Sequence, residues 1–183
     1  MKLSQYYEAK PFIINQAWGV KNPVYEQFGF SRHNGTDCQV GTNGHLYSPF
    51  PCEVTKIGWQ PSGAGLYVCV LSQSQYDFKD KKAWVEKTYM HLDKVLVKVG
   101  DKLNVGDVIA KADNTGFSTG PHTHIASKRV NKTTGGYYEV DKNDAKNTFD
   151  DTPFYNGKYA VDEQITLLKQ TIALLTKLIP YLK

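Results

Sequence analysis

The chain has 183 residues, 40% of them hydrophobic, 13% aromatic and 22% charged, and a formal net charge of +4. This composition excludes a wholly disordered chain and leaves room for one globular domain with an appendage. The mild positive balance, without a long block of Lys and Arg, argues against nucleic acid as a partner; it suits an acidic polymer without specifying one.

The first residues, MKLSQYYEAKPFIINQAWG, contain no continuous apolar segment and no small-residue cleavage site, so no secretory signal is expected. From Pro11 to about Lys128 short strands alternate with Gly, Pro and Asn. Strands are expected at 52–58, 66–71, 83–91 and 122–129, which are rich in Val, Ile, Tyr and Thr. Turn signals such as Pro61-Ser62-Gly63 and Asn114-Thr115-Gly116 separate them. No strand–helix–strand alternation occurs, so the expected class is mainly β with an antiparallel sheet. The polar stretch 72–82 reads as a hairpin loop. Tyr76, Phe78 and Trp84 around it either line a groove or pack the hairpin itself. Residues 131–158 read as polar and loop-like.

Three cysteines, Cys38, Cys52 and Cys69, form no paired spacing and read as small buried thiols of a chain folded in a reducing cytoplasm. A domain is expected over 1–152 and a linker over 153–160, around Pro153 and Gly157. Beyond it Val161, Ile165, Leu168, Ile172, Leu175 and Ile179 recur in steps of four and three, predicting an amphipathic helix over 161–180 that Pro180 ends. Such a helix either packs on its own domain or mediates self-association or attachment to another assembly. Its Lys and Thr residues interrupt the apolar run, so no membrane span is expected.

Four of the five histidines lie in three tight motifs. In Arg32-His33-Asn34-Gly35-Thr36-Asp37 an imidazole and a carboxylate stand four apart across a poor helix interior. They must converge through a turn or a bent strand; a hydrogen-bonded pair and a Zn²⁺ ligand pair both fit. In Gly120-Pro121-His122-Thr123-His124 the two imidazoles fall on one face of an extended chain and project into one pocket. In Tyr89-Met90-His91-Leu92 the period of two places Val85, Lys87, Tyr89 and His91 on one face; a lone strand histidine of this kind is usually structural. His45 belongs to no such group, and Cys38 points away from Asp37.

The order H-x-x-x-D, Y-x-H-L, G-D-x-x-x-x-G-D-x-I-A and T-G-x-S-T-G-P-H-x-H resembles the lysostaphin-type zinc metallopeptidases, the M23 peptidase family, over roughly residues 11–130. The pieces are His33 to Asp37, Tyr89 to Leu92, Gly100-Asp101 with Gly106 to Ala110, and Thr115 to His124. The resemblance implies the lysostaphin-type fold, here with a C-terminal α-helix. It also implies Zn²⁺ on His33, Asp37 and His124 with a fourth position for water, and His91 and His122 as catalytic histidines. It further implies hydrolysis of peptide bonds in bacterial peptidoglycan, in a stem peptide or a cross-bridge. Ile125-Ala126-Ser127 departs from the aromatic and acidic residues more usual after the last histidine.

With no secretory signal expected, the resemblance points to a phage endolysin or virion-associated wall hydrolase made in the cytoplasm, with virion attachment through the C-terminal helix as one use of that helix. A non-catalytic structural or wall-binding part of a phage tail is the alternative within the same fold. Residues 100–110 also resemble the hairpin of lipoyl- and biotin-carrier domains, but those need a Met-Lys pair at the hairpin tip, and the chain has one only at Met1-Lys2.

Overall fold

The computed structural model describes residues 13–39, 44–78, 81–132, 138–140, 148–151 and Ile172. The strands are β1 (Ile13–Gln16), β2 (Thr36–Gln39), β3 (His45–Tyr47), β4 (Cys52–Gln60), β5 (Gly65–Ser72), β6 (Tyr76–Asp77), β7 (Lys82–Val95), β8 (Lys102–Leu103), β9 (Val108–Ala112), β10 (Thr123–Lys132) and β11 (Tyr138–Val140). All named pairings are antiparallel, in the order β1-β2-β10-β7-β5-β4-β8. This is the mainly β architecture expected from the alternation of strand and turn residues. The expected linker 153–160 and helix 161–180 lie outside the described residues, apart from the helical Ile172. Among the described residues no helix is long and apolar enough to cross a membrane.

Residues 131–158 are not all loop: β10 runs on to Lys132, and β11 pairs with its end, Val130 opposite Val140. Strand-forming Tyr138 and Val140 sit among Lys, Asp and Gly, which dilute the local signal until tertiary pairing supplies it.

Alternation decides which side chains are buried. On β5 Val68 and Val70 are fully buried, and on β7 so are Ala83 and Val85. Val68, Val70 and Val85 join Leu46, Phe50, Val54, Leu92, Ile109 and Ile125 in one core against one face of the sheet. Tyr76 enters this core, its ring 5.6 Å from that of Phe50, and Phe78 meets Phe149 at 5.1 Å. For Tyr76 and Phe78, packing is thus the reading realised. The cysteines are free and buried, as their spacing suggested.

Among the apolar side chains on that face lies Lys87, wholly buried. Its ammonium donates to Ser127 Oγ at 2.9 Å and to Asp151 Oδ2 at 2.6 Å; Ser127 donates to the same carboxylate oxygen, and Thr36 donates to Asp151 Oδ1. Burial pulls the Lys87 amine below its ordinary pKa, while the Asp151 charge pulls it back up. The pair thus ties residues 148–151 to β2, β7 and β10. Asp151→Ala is expected to destabilise the fold by about 3–5 kcal/mol, because it strands a buried cation. Urea unfolding checks this, and adding Lys87→Met should recover part of the loss; full stability of the single variant would contradict it.

Candidate active site

Side chains that alternate away from the core on β2 and β10 supply the site. Thr36 and Cys38 face the core, so Asp37 projects from the opposite face, directly across from His124 on β10. His33 precedes β2 and is held by backbone bonds, its N–H to Val20 O and its carbonyl from Gly19 N. Gly35 between them has no room for a side chain: a Cβ there would stand 2.5 Å from His124 Nε2. The close approach of the His33–Asp37 turn to His124 therefore requires glycine.

Three acceptor atoms converge. His33 Nε2 lies 3.2 Å from Asp37 Oδ1 and 3.1 Å from His124 Nδ1, and His124 Nδ1 lies 2.8 Å from Asp37 Oδ1. His33 Nδ1 faces the Ala17 carbonyl at 2.9 Å and must donate to it, which leaves its Nε2 with a lone pair. A lone pair aimed at a carboxylate oxygen at this distance needs a cation or a proton between them. Ligands about 2.0–2.1 Å from a tetrahedral ion stand about 3.3 Å apart, close to the spacing seen. These residues can hold a metal ion. Burial alone would raise the Asp37 carboxyl pKa, but bonds and charge from His124 and His33 outweigh it and hold the group well below the usual carboxylate range.

Two further imidazoles flank the cluster. His122 stands just before β10, its Nε2 3.8 Å from Asp37 Oδ1 and its Nδ1 2.7 Å from the Gly120 carbonyl. His91 Nδ1 lies 2.8 Å from the Thr115 carbonyl. Carbonyls only accept, so both Nδ1 atoms carry a proton, and in the neutral ring of either the lone pair lies on Nε2. The rings of His91 and His122 are 4.8 Å apart. Burial lowers the His91 pKa to about 4 against the Thr115 bond, with His122 and His124 adding to the fall, so the ring is neutral near pH 7.

His91 corrects one expectation. Strict alternation puts it on the face of Lys87 and Tyr89, yet its φ of 61° places it in the left-handed region, and the register with both β5 and β9 shifts beside it. This kink turns His91 away from the core and onto the face of His124, 6.3 Å between ring centres. The strain, on the order of 1–3 kcal/mol, is held by the bonds of His91 N–H to Ala64 O and of its carbonyl from Asp113 N–H. Gly116, at φ 78°, packs backbone to backbone on Gly65, where a Cβ would meet Gly65 N at 2.3 Å. That contact fixes the loop carrying Thr115.

The five residues singled out from the sequence, His33, Asp37, His91, His122 and His124, therefore share one face and one cluster of contacts. His45 stays apart on β3, near Tyr47. Sequence reasoning missed Tyr25, whose ring stacks on His33 at 5.1 Å while Gln16 donates to its hydroxyl. It belongs to a short 3-10 segment, Pro23–Phe28, that no histidine motif marks.

On one face of the antiparallel sheet, a His-Asp-His cluster able to hold a metal ion thus stands beside two imidazoles able to carry protons. Residues 31–135 match the family model of peptidase family M23, and the chain belongs to that family. Its members are zinc metallopeptidases, and zinc is the cofactor of this chain.

The chain is 38% identical over 92 residues to an uncharacterized metalloprotease of Haemophilus influenzae, and 37% identical over 93 residues to the peptidoglycan DD-endopeptidase ShyB of Vibrio cholerae. The aligned parts cover 50% and 51% of this chain but only 18% and 20% of those proteins. Among solved structures, the catalytic domain of lysostaphin from Staphylococcus simulans matches with a TM-score of 0.59 at 22% identity, over 84% of this chain and 94% of that one, a likeness of fold. A zinc-containing peptidase from Vibrio cholerae matches at 0.55 and 28% identity, over 74% of this chain and 38% of that one.

Proposed function

We propose that this chain is an endopeptidase that hydrolyses peptide bonds in bacterial peptidoglycan, with Zn²⁺ held by His33 Nε2, Asp37 Oδ1 and His124 Nδ1. The observation that carries the reading is the convergence of those three acceptor atoms within 2.8–3.2 Å of one another, beside two imidazoles whose Nδ1 atoms are bonded to backbone carbonyls. Relatives named for peptidoglycan and glycyl-glycine cleavage support the substrate class.

Bound there, zinc polarises a scissile carbonyl and lowers the pKa of water to near 7. The protein's own residues handle the protons. His91 and His122 have their Nδ1–H groups committed to backbone carbonyls, so each Nε2 is the atom that accepts a proton from attacking water and returns one to the leaving amine. The low pKa of His91 keeps that atom unprotonated at neutral pH. Ala17 fixes the tautomer of His33 through its carbonyl, and Tyr25 holds the ring in place by stacking.

Purified protein is expected to release soluble peptide-linked fragments from isolated bacterial walls, seen by mass spectrometry. EDTA should abolish the release and added Zn²⁺ restore it. Walls left intact by zinc-loaded protein, or cleavage indifferent to EDTA, would refute the reading. Intact walls that nonetheless bind the protein would favour a wall-binding role.

A further inference from the structure

A second polar feature lies on the same face of the sheet as the zinc cluster. Alternation along β10 puts His124, Ala126 and Lys128 on one side, so Lys128 stands about 13 Å along the strand from His124. Here a cavity of about 440 Å³ opens, with Lys56, Tyr67, Cys69, Glu86, Thr88 and Lys128 among its walls. The register explains its shape. Lys56 on β4 is opposite Cys69 on β5, which is opposite Thr88 on β7, so two small side chains form a floor. Larger polar groups stand around it.

Those groups carry two ammoniums and one carboxylate. Glu86 and Lys128 are directly cross-strand, but their charged atoms are 3.9 Å apart, longer than a hydrogen bond, and both are only about a third exposed. The Lys128 ammonium thus keeps capacity for another acceptor. Lys56 is exposed, with Nζ 5.6 Å from the centre of the Tyr67 ring. The excess of one positive charge in a half-enclosed trough favours an anion over a neutral chain.

We propose that this trough is a subsite for a free carboxylate of the peptide substrate, taken by Lys56 and Lys128 within about four residues of the scissile bond, at about 3.3 Å per extended residue. The inference rests on the wall-peptide reading of the zinc site and narrows it. Stem peptides carry free carboxylates, whereas a cross-bridge of glycines offers no side-chain charge.

The test compares two synthetic cross-linked stem peptides, one with its free carboxylates and one with these converted to carboxamides. The zinc-loaded protein is expected to cut the acidic peptide with kcat/KM about tenfold higher or more, chiefly through KM, as a charge-assisted hydrogen bond would give. The double variant Lys56→Met, Lys128→Met should lose that preference. No preference in the parent, or one that persists in the double variant, overturns the proposal. If neither peptide is cut, the endopeptidase reading is what fails. The subsite then stands or falls on NMR titration with the acidic peptide: shifts at Thr88 and Lys128 that vanish in the double variant support it, and their absence from the parent overturns it.

Discussion

His124→Ala is expected to remove both stoichiometric zinc and peptide cleavage. His124 Nδ1 touches the other two acceptor atoms of the cluster, at 2.8 Å from Asp37 and 3.1 Å from His33, so alanine leaves only two ligands. Loss of an outer-shell partner alone costs roughly 10–100-fold in metal affinity or activity, and loss of a ligand should exceed that. Metal analysis after dialysis, together with wall digestion, reads both effects. Stoichiometric zinc in a folded variant would contradict the ligand role. Circular dichroism separates this from simple unfolding, since β10 remains paired to β7 and β2 through its backbone.

His122→Ala and His91→Ala should behave oppositely with respect to the metal. Neither belongs to the tight cluster: His122 Nε2 is 3.8 Å from Asp37, and the His91 ring centre is 6.3 Å from that of His124. Each variant should retain zinc and lose turnover on the order of 10²–10⁴-fold, the usual range for removing a general acid or base. The loss should appear in kcat, with KM little changed. A variant that kept full turnover would remove its histidine from the proton pathway; one that lost zinc would make it a ligand instead.

Much of this site was legible before the fold, because its motifs are local. His122 and His124 are two apart, and the period of a strand alone aims both at one pocket. His33 and Asp37 are four apart, and Gly35 between them permits the turn that the close packing against His124 demands. The antiparallel class followed from the Val-, Ile- and Tyr-rich runs and the turn residues between them.

What escaped was set by deviations from period or by distance along the chain. His91 was assigned to the face of Lys87, and only the left-handed kink in β7 moves it to the other side. A single non-glycine residue in that region has no sequence signature. Tyr25 finds His33 through a 3-10 segment whose residues are unremarkable in composition. Lys87 and Asp151 are separated by 64 positions, and neither sits in a recognisable motif. β11 escaped for the same reason, being short and surrounded by charged residues.

The ammonium sealed behind β2 and β10 carries a consequence for where this catalytic unit ends. The match to the M23 family closes at residue 135, and every proposed ligand and proton carrier falls within it. Yet the carboxylate that neutralises Lys87 arrives only at position 151, where it also accepts a hydrogen bond from Thr36, the residue next to Asp37. Trimming the polypeptide to its homologous boundary would preserve the reactive groups on paper while leaving a naked cation under their scaffold. A unit that keeps this ion pair therefore reaches past the family border.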